Sequence, residues 1–336
     1  MYFAIGGRKV QSGLYRVSYT GEEKNAPIST QPRVNELAKL RHDLENLHIG
    51  KHPKALEIAW PHSDHPDRFV RWAALMAIQH LPVEKWATKA LTEKDLGKRA
   101  NILLSLSKAA GIDPFHRKDT DSPIDREMGQ KILQSLLQIK WSELTPSERL
   151  SLVRTYQVAM VRFGKPSGKL TEKIIAQLDP QFPAKSFEMN WLLCETLAYL
   201  EAPTVAEKGI ALLTQAPTQE EQMEYARSLR NLQNGWSKEL RTQYFNWFLK
   251  AANYRGGASF TKFIEFIRND AVASLSPTEK KDLASLLAKK PEIKSPAEVM
   301  AEAMAGRTFV KNWELDELSK VSSNGLKDRN FEVGRK

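Results

Sequence analysis

Ala55-Leu-Glu-Ile-Ala-Trp-Pro-His-Ser-Asp-His-Pro-Asp-Arg-Phe-Val-Arg-Trp-Ala-Ala74 reads as two helices joined by a turn. The first helix ends near Trp60. Pro61 and Pro66 bracket the turn, because proline has no N–H to continue a helical ladder. Asp67 is placed to cap the second helix, which carries Arg68 and Arg71. Phe69, Trp72, Ala73, Met76, Ala77 and His80 then recur at three- and four-residue steps, which predicts one buried face. Downstream, Phe260, Phe263, Ile264 and Ile267 repeat the pattern.

Working outward, the same design continues from about Arg33 to Val321. Thr145-Pro-Ser-Glu148, Ser276-Pro-Thr-Glu279 and Ser295-Pro-Ala-Glu298 each predict a helix start. The hydroxyl caps free N–H groups, proline takes the first helical position, and the glutamate closes a capping box. Ser122-Pro-Ile-Asp125 and Thr218-Gln-Glu-Glu221 are close variants. No strand pattern intervenes after Thr20. A bundle and an α-solenoid both fit, and the solenoid is favoured because no helix is apolar all round. Roughly 290 residues at about 40 per helix pair would make nearly seven pairs. The 55–74 segment resembles a HEAT repeat.

The N-terminal segment differs. Met1-Tyr-Phe-Ala-Ile-Gly-Gly-Arg8 and Ser12-Gly-Leu-Tyr-Arg-Val-Ser-Tyr-Thr-Gly21 predict two strands, with Tyr15, Val17 and Tyr19 alternating against Leu14, Arg16 and Ser18. Gly6-Gly7 is expected at the bend, and Gly256-Gly257 at the end of the helix holding Tyr244, Trp247 and Phe248. The expected class is therefore all-α, a HEAT-like α-solenoid with a short N-terminal β-hairpin. Pro32 to Asn35 and Ser322-Ser-Asn-Gly325 are the expected boundaries, giving segments 1–21, 33–321 and 326–336. Both ends of the chain read as if cut from a longer protein.

The chain has 336 residues, with 41% apolar and 27% charged side chains, ordinary for a globular protein. No apolar run reaches the roughly 18 residues of a membrane span, and no signal peptide pattern follows Met1. The net charge of +10 permits an acidic partner, but the cations are scattered and their densest groups, such as Lys280-Lys281 and Lys289-Lys290, are pairs. The single cysteine, Cys194, excludes an intrachain disulfide and reads as a small buried hydrophobe beside Trp191, Leu197 and Ala198.

No residue is assigned to catalysis, to a cofactor or to a metal. All seven histidines lie between residues 42 and 116. His48 and His52 have ligand spacing, but Gly50 and Pro53 break the helix that would align them. His62 and His65 flank Asp64 in a turn with no third ligand set by spacing. Neither double glycine forms a phosphate loop, and no nucleophile elbow or metalloprotease motif occurs. The eight tryptophans, Trp60, Trp72, Trp86, Trp141, Trp191, Trp236, Trp247 and Trp313, are expected to fill the joints between helix pairs.

Three segments carry a family resemblance. Met1-Tyr-Phe-Ala-Ile-Gly-Gly-Arg8 with Gln11-Ser-Gly-Leu-Tyr-Arg-Val17 resembles the last propeller blade of large secreted planctomycete proteins of the PVC-type haem-binding, membrane-bound-dehydrogenase-like family. Asp67-Arg-Phe-Val-Arg-Trp-Ala73 resembles that family's helical repeat. Trp313, Leu315 and Leu318, followed by Asp328-Arg-Asn-Phe-Glu-Val-Gly-Arg335, resemble its run into a c-type cytochrome. The resemblance implies a β-propeller similar to quinone-dependent sugar dehydrogenases, then HEAT-like helices, then a haem domain. This chain stops at Lys336, before any C-x-x-C-H, so no haem ligand and no quinone contact is carried over.

The resemblance implies that this segment is a helical scaffold. It would space a propeller from a cytochrome c domain in a periplasmic or secreted electron-transfer protein. Haem c and pyrroloquinoline quinone would be cofactors of the parent dehydrogenase-like protein, with none bound in this segment. Its partners would be the adjoining domains and a protein on the helical surface, with nucleic acid disfavoured and no membrane span. Two rival expectations stand beside it. One is a free-standing HEAT-like module binding an acidic partner, protein or nucleic acid; the other is a helical enzyme built on the His42 to His116 cluster.

Overall fold

The computed structural model describes residues 1–7, 10–21, 35–49, 52–257, 259–293, 295–305 and 311–323. The chain is mostly helical and divides into two compact units, Met1–Pro291 and Glu292–Lys336.

The first unit opens on an antiparallel pair, β1 (Tyr2–Gly7) and β2 (Val10–Arg16). Phe3 faces Tyr15 in register and their rings stack at 5.4 Å, the cross-strand contact that stabilises such a ribbon. Gly6 and Gly7 lie within β1, beside an irregularity between Ile5 and Gly7, rather than at the bend. β2 ends at Arg16, so Val17 and Tyr19 fall beyond it. Tyr2, Ile5, Leu14 and Tyr15 are all exposed, on both faces of the ribbon.

Among the described residues of this unit fifteen α-helices follow: α1 (Glu36–Glu45), α2 (Ala55–Ala59), α3 (Arg68–Gln79), α4 (Ala87–Leu91), α5 (Leu96–Ala110), α6 (Arg126–Leu137), α7 (Pro146–Phe163), α8 (Lys169–Leu178), α9 (Phe187–Leu200), α10 (Val205–Gln215), α11 (Gln219–Leu229), α12 (Lys238–Ala251), α13 (Phe260–Ala273), α14 (Pro277–Asp282) and α15 (Ala284–Leu287). The second unit holds α16 (Pro296–Met304) and α17 (Leu315–Ser323). The expected segment 326–336 lies outside the described residues.

Local chemistry sets the helix starts. Thr145, Ser276 and Ser295 form complete capping boxes with Glu148, Glu279 and Glu298. Asp67 caps α3 by accepting from the N–H groups of Phe69 and Val70, and Thr218 caps α11. Ser122 does not start a helix. Asp125 caps α6 instead, because its carboxylate accepts directly from the Met128 N–H. Gly256-Gly257 does not end α12, which stops at Ala251; the pair sits in the connection to α13.

The odd-numbered helices form a continuous succession. α1 packs on α3, α3 on α5, and so on through α7, α9, α11 and α13. The helices α2, α4, α6, α8, α10 and α12 cover one side of this row, and α4 reaches α6, α6 reaches α8, and α10 reaches α12. α5 and α7 run in the same direction. Thr155 donates to the Ala100 carbonyl and, seven residues later, Arg162 donates to the Lys108 carbonyl. Across α7 and α9 the matched partners are 35 and 38 residues apart, and across α11 and α13 they are 40 apart. One apolar core threads between the rows, from Leu44 through Ile102, Leu133, Leu152, Leu197 and Ile210 to Leu283.

The buried face of α3 is not the one its aromatics predict. Val70, Ala73, Ala74, Ala77 and Ile78 are buried, whereas Phe69 and Trp72 are 54% and 57% exposed and His80 is exposed. α3 packs between two odd neighbours, and small alanines let those helices approach closely. The core therefore takes the alanine side, rotated by roughly one residue step, about 100°. In α13, Ile264 and Ile267 are buried while Phe263 is exposed. Trp60, Trp86 and Trp247 do fill joints, but Trp72 and Trp313 are exposed.

Candidate interaction surface

The exposed side of the odd row carries a series of cations, each bridging two helices. Between α3 and α5, Lys108 Nζ lies 5.1 Å from the ring centre of Trp72. Between α5 and α7, Arg162 donates to the carbonyls of Lys108 (3.0 Å) and Gly111. Past the end of α7, Lys165 Nζ stands 5.5 Å from the ring of Tyr199 in α9. Between α9 and α11, Arg227 pairs with Glu195 at 3.1 Å and covers Trp191 at 5.8 Å. Between α11 and α13, Arg230 pairs with Asp270 at 3.0 Å. An aromatic ring presents a negative face to a stacked cation, so the Lys108, Lys165 and Arg227 steps also gain a modest cation–π attraction.

The ends of this series differ in charge. At α9 to α13 each arginine meets a carboxylate. Within α3 and α5 there is none: neither Arg68–Gln79 nor Leu96–Ala110 contains an aspartate or glutamate, and the acidic groups nearby lie outside the two helices, Asp67 at the α3 cap and Asp64 paired with Lys98 at 3.5 Å. Arg68 lies 4.7 Å over the Phe69 ring, and neither Arg68 nor Lys108 makes an ion pair with a described residue. Arg71 turns inward to the carbonyls of His65 and Pro66. Arg68, Phe69, Arg71, Trp72 and Leu75 line an open depression of about 460 Å³. A second hollow of about 240 Å³ lies between α7 and α9, where Arg154, Val161 and Tyr199 surround the buried Gln157. Gln157 is held by the Leu192 carbonyl and Glu195.

The histidines come together only in pairs. His48 stacks on His80 at 5.7 Å and contacts the Ala73 carbonyl at 2.8 Å. His62 and His65 lie 6.1 Å apart, and burial together with the neighbouring His65 lowers the pKa of His62. Among the described residues no three His, Cys, Asp or Glu side chains are grouped to hold a metal ion. Cys194 is fully buried against Gly209, and burial first, then the Glu195 charge, pushes its thiol pKa up to about 12.

The aromatic part of this surface was visible in the sequence, but was assigned to the core. The cations Lys108, Arg162 and Lys165 are not among the residues the sequence reading picks out. A legible signal was the absence of acidic residues across two successive helical segments. No described helix is long and apolar enough to cross a membrane. No protein-family model, no curated protein and no solved structure matches this chain.

Proposed function

We propose that this chain is a HEAT-like α-solenoid scaffold whose work is geometric. In this reading it spaces a quinoprotein-like propeller from a c-type cytochrome domain in a periplasmic or secreted, haem-containing, dehydrogenase-like protein. The observation that carries the scaffold reading is the succession of odd helices, each packed on the next, with contacts 32 to 40 residues apart across α7 to α13. Helix pairs stacked at such a period contact mainly their neighbours and make a semi-rigid arm. The hairpin supports the linking role, because its apolar side chains are exposed on both faces and a lone ribbon is marginal in water.

Small-angle X-ray scattering of the 336-residue chain tests the scaffold. An elongated particle is expected, and the compact profile of a globular bundle would overturn it. The linking role is tested separately, by sequencing the native transcript across both ends of the reading frame. Propeller blades upstream and a C-x-x-C-H motif downstream are expected; a start at Met1 with a stop after Lys336 would remove that role.

A second reading, an interaction module for an acidic partner, is favoured by one specific observation. The cationic and aromatic side chains of α3, α5 and α7 gather on one exposed face, and the net charge is +10.

A further inference from the structure

We propose that the α3–α5 face is a docking site for a protein segment that combines carboxylates with a large apolar side chain. The proposal rests on the second reading above and gives it a place and a ligand chemistry.

Three features converge there. Phe69 and Trp72 leave more than half of their surface in water, although tryptophan is among the residues that gain most from burial in an interface. Both flank the depression of about 460 Å³, with Leu75 at its floor, so an apolar side chain has a hollow to enter. Arg68 and Lys108 stand over the two rings without a carboxylate of their own. The two helices supply no acidic residue that could neutralise them. A carboxylate arriving from outside would complete each cation while the cation stays on its ring. A repulsive cation on the partner would find nothing to offset it, so charge also sets specificity.

Nucleic acid fits less well. Stacking of bases needs an open aromatic face, and here a cation already covers one face of each ring. Phosphate tracking needs a run of unpaired cations, whereas from α9 onward the arginines of this surface are paired with carboxylates.

The test is selection of random-sequence peptides on the immobilised full chain at low salt, followed by fluorescence anisotropy with the selected peptides. Three variants are compared: Trp72→Ala, Lys108→Glu and, as a charge-matched control away from the face, Lys289→Glu. Circular dichroism checks that each stays folded, which is expected because these side chains are not in the core. Selected peptides are expected to pair Asp or Glu with a large apolar residue. They should bind the first two variants roughly tenfold more weakly or worse, bind Lys289→Glu normally, and weaken with salt. Acidic peptides that bind all three variants equally would overturn this site while leaving the acidic-partner reading intact. Failure to select acidic peptides would overturn both; a single-stranded oligonucleotide that outcompetes them would overturn the protein ligand proposed here.

Discussion

At the residue scale, the most constrained side chain is Arg241, which is only 1% exposed. Its guanidinium lies 4.1 Å over the Trp236 ring, donates to Glu279 at 2.8 Å and reaches the Leu232 carbonyl. Burial lowers its pKa and the Glu279 carboxylate works against that. Removing one partner of such a pair strands the other, so Arg241→Ala is expected to cost about 3 kcal/mol, measured as the shift in a urea unfolding curve. Glu279 carries a pH signature. Burial pulls its pKa up, but hydrogen bonds from Ser276 and Arg241 outweigh it, and the net shift is downward from 4.5. Glu93 behaves alike, with burial opposed by the indole N–H of Trp60 at 2.8 Å and by backbone N–H groups. A carboxyl depressed in the fold stabilises above its unfolded pKa, and that contribution is lost as pH falls through the folded value. Thermal stability is therefore expected to drop below pH 4.5, and Glu279→Gln should flatten that limb of the profile. Cys194, with its pKa near 12, should resist a disulfide exchange reagent until the chain is unfolded.

Elements hold together here through caps and close approaches. Thr145 and Glu148 satisfy one another's N–H groups at the start of α7. Thr145→Ala is expected to lose about 1 kcal/mol, read by thermal unfolding. α6 meets α7 where Gly129 leaves room for Phe163; a Cβ at that position would collide with the Phe163 side chain. Gly129→Ala should thus destabilise by about 1–3 kcal/mol through overpacking, and trimming Phe163 in the same chain should recover part of the loss. Glu201 ends α9 in the left-handed region at φ 62°, and its carboxylate accepts from the N–H groups of Gln233 and Asn234 in the loop before α12. The end of α9 is thereby tied to backbone N–H groups 32 and 33 residues away in sequence.

In the first unit most helices pack on helices close to them in the chain. Substitutions at remote joints then share no packing partners. Gly129→Ala at the α6–α7 joint and Arg241→Ala near α14 are expected to add within about 0.5 kcal/mol in the double variant. A coupling well above that, in urea titrations of the two singles and the double, would mean that the unit behaves as one tightly shared core.

The sequence by itself determined where helices begin and that they are amphipathic. A hydroxyl, a proline and a glutamate at fixed spacing satisfy backbone N–H groups locally, so the boxes at Thr145, Ser276 and Ser295 form as read. It also determined that the N-terminal segment forms a two-stranded hairpin and that Cys194 is buried. Only the tertiary structure decided which stripe of α3 faces inward. Both the alanine side and the aromatic side have helical period, and the choice depends on how closely two neighbours can approach, which no local pattern encodes. The same choice left Phe69 and Trp72 in water beneath Arg68 and Lys108. The cation bridges across the odd row depend on residues 32 or more positions apart meeting, and only the packing of helix against helix brings them there.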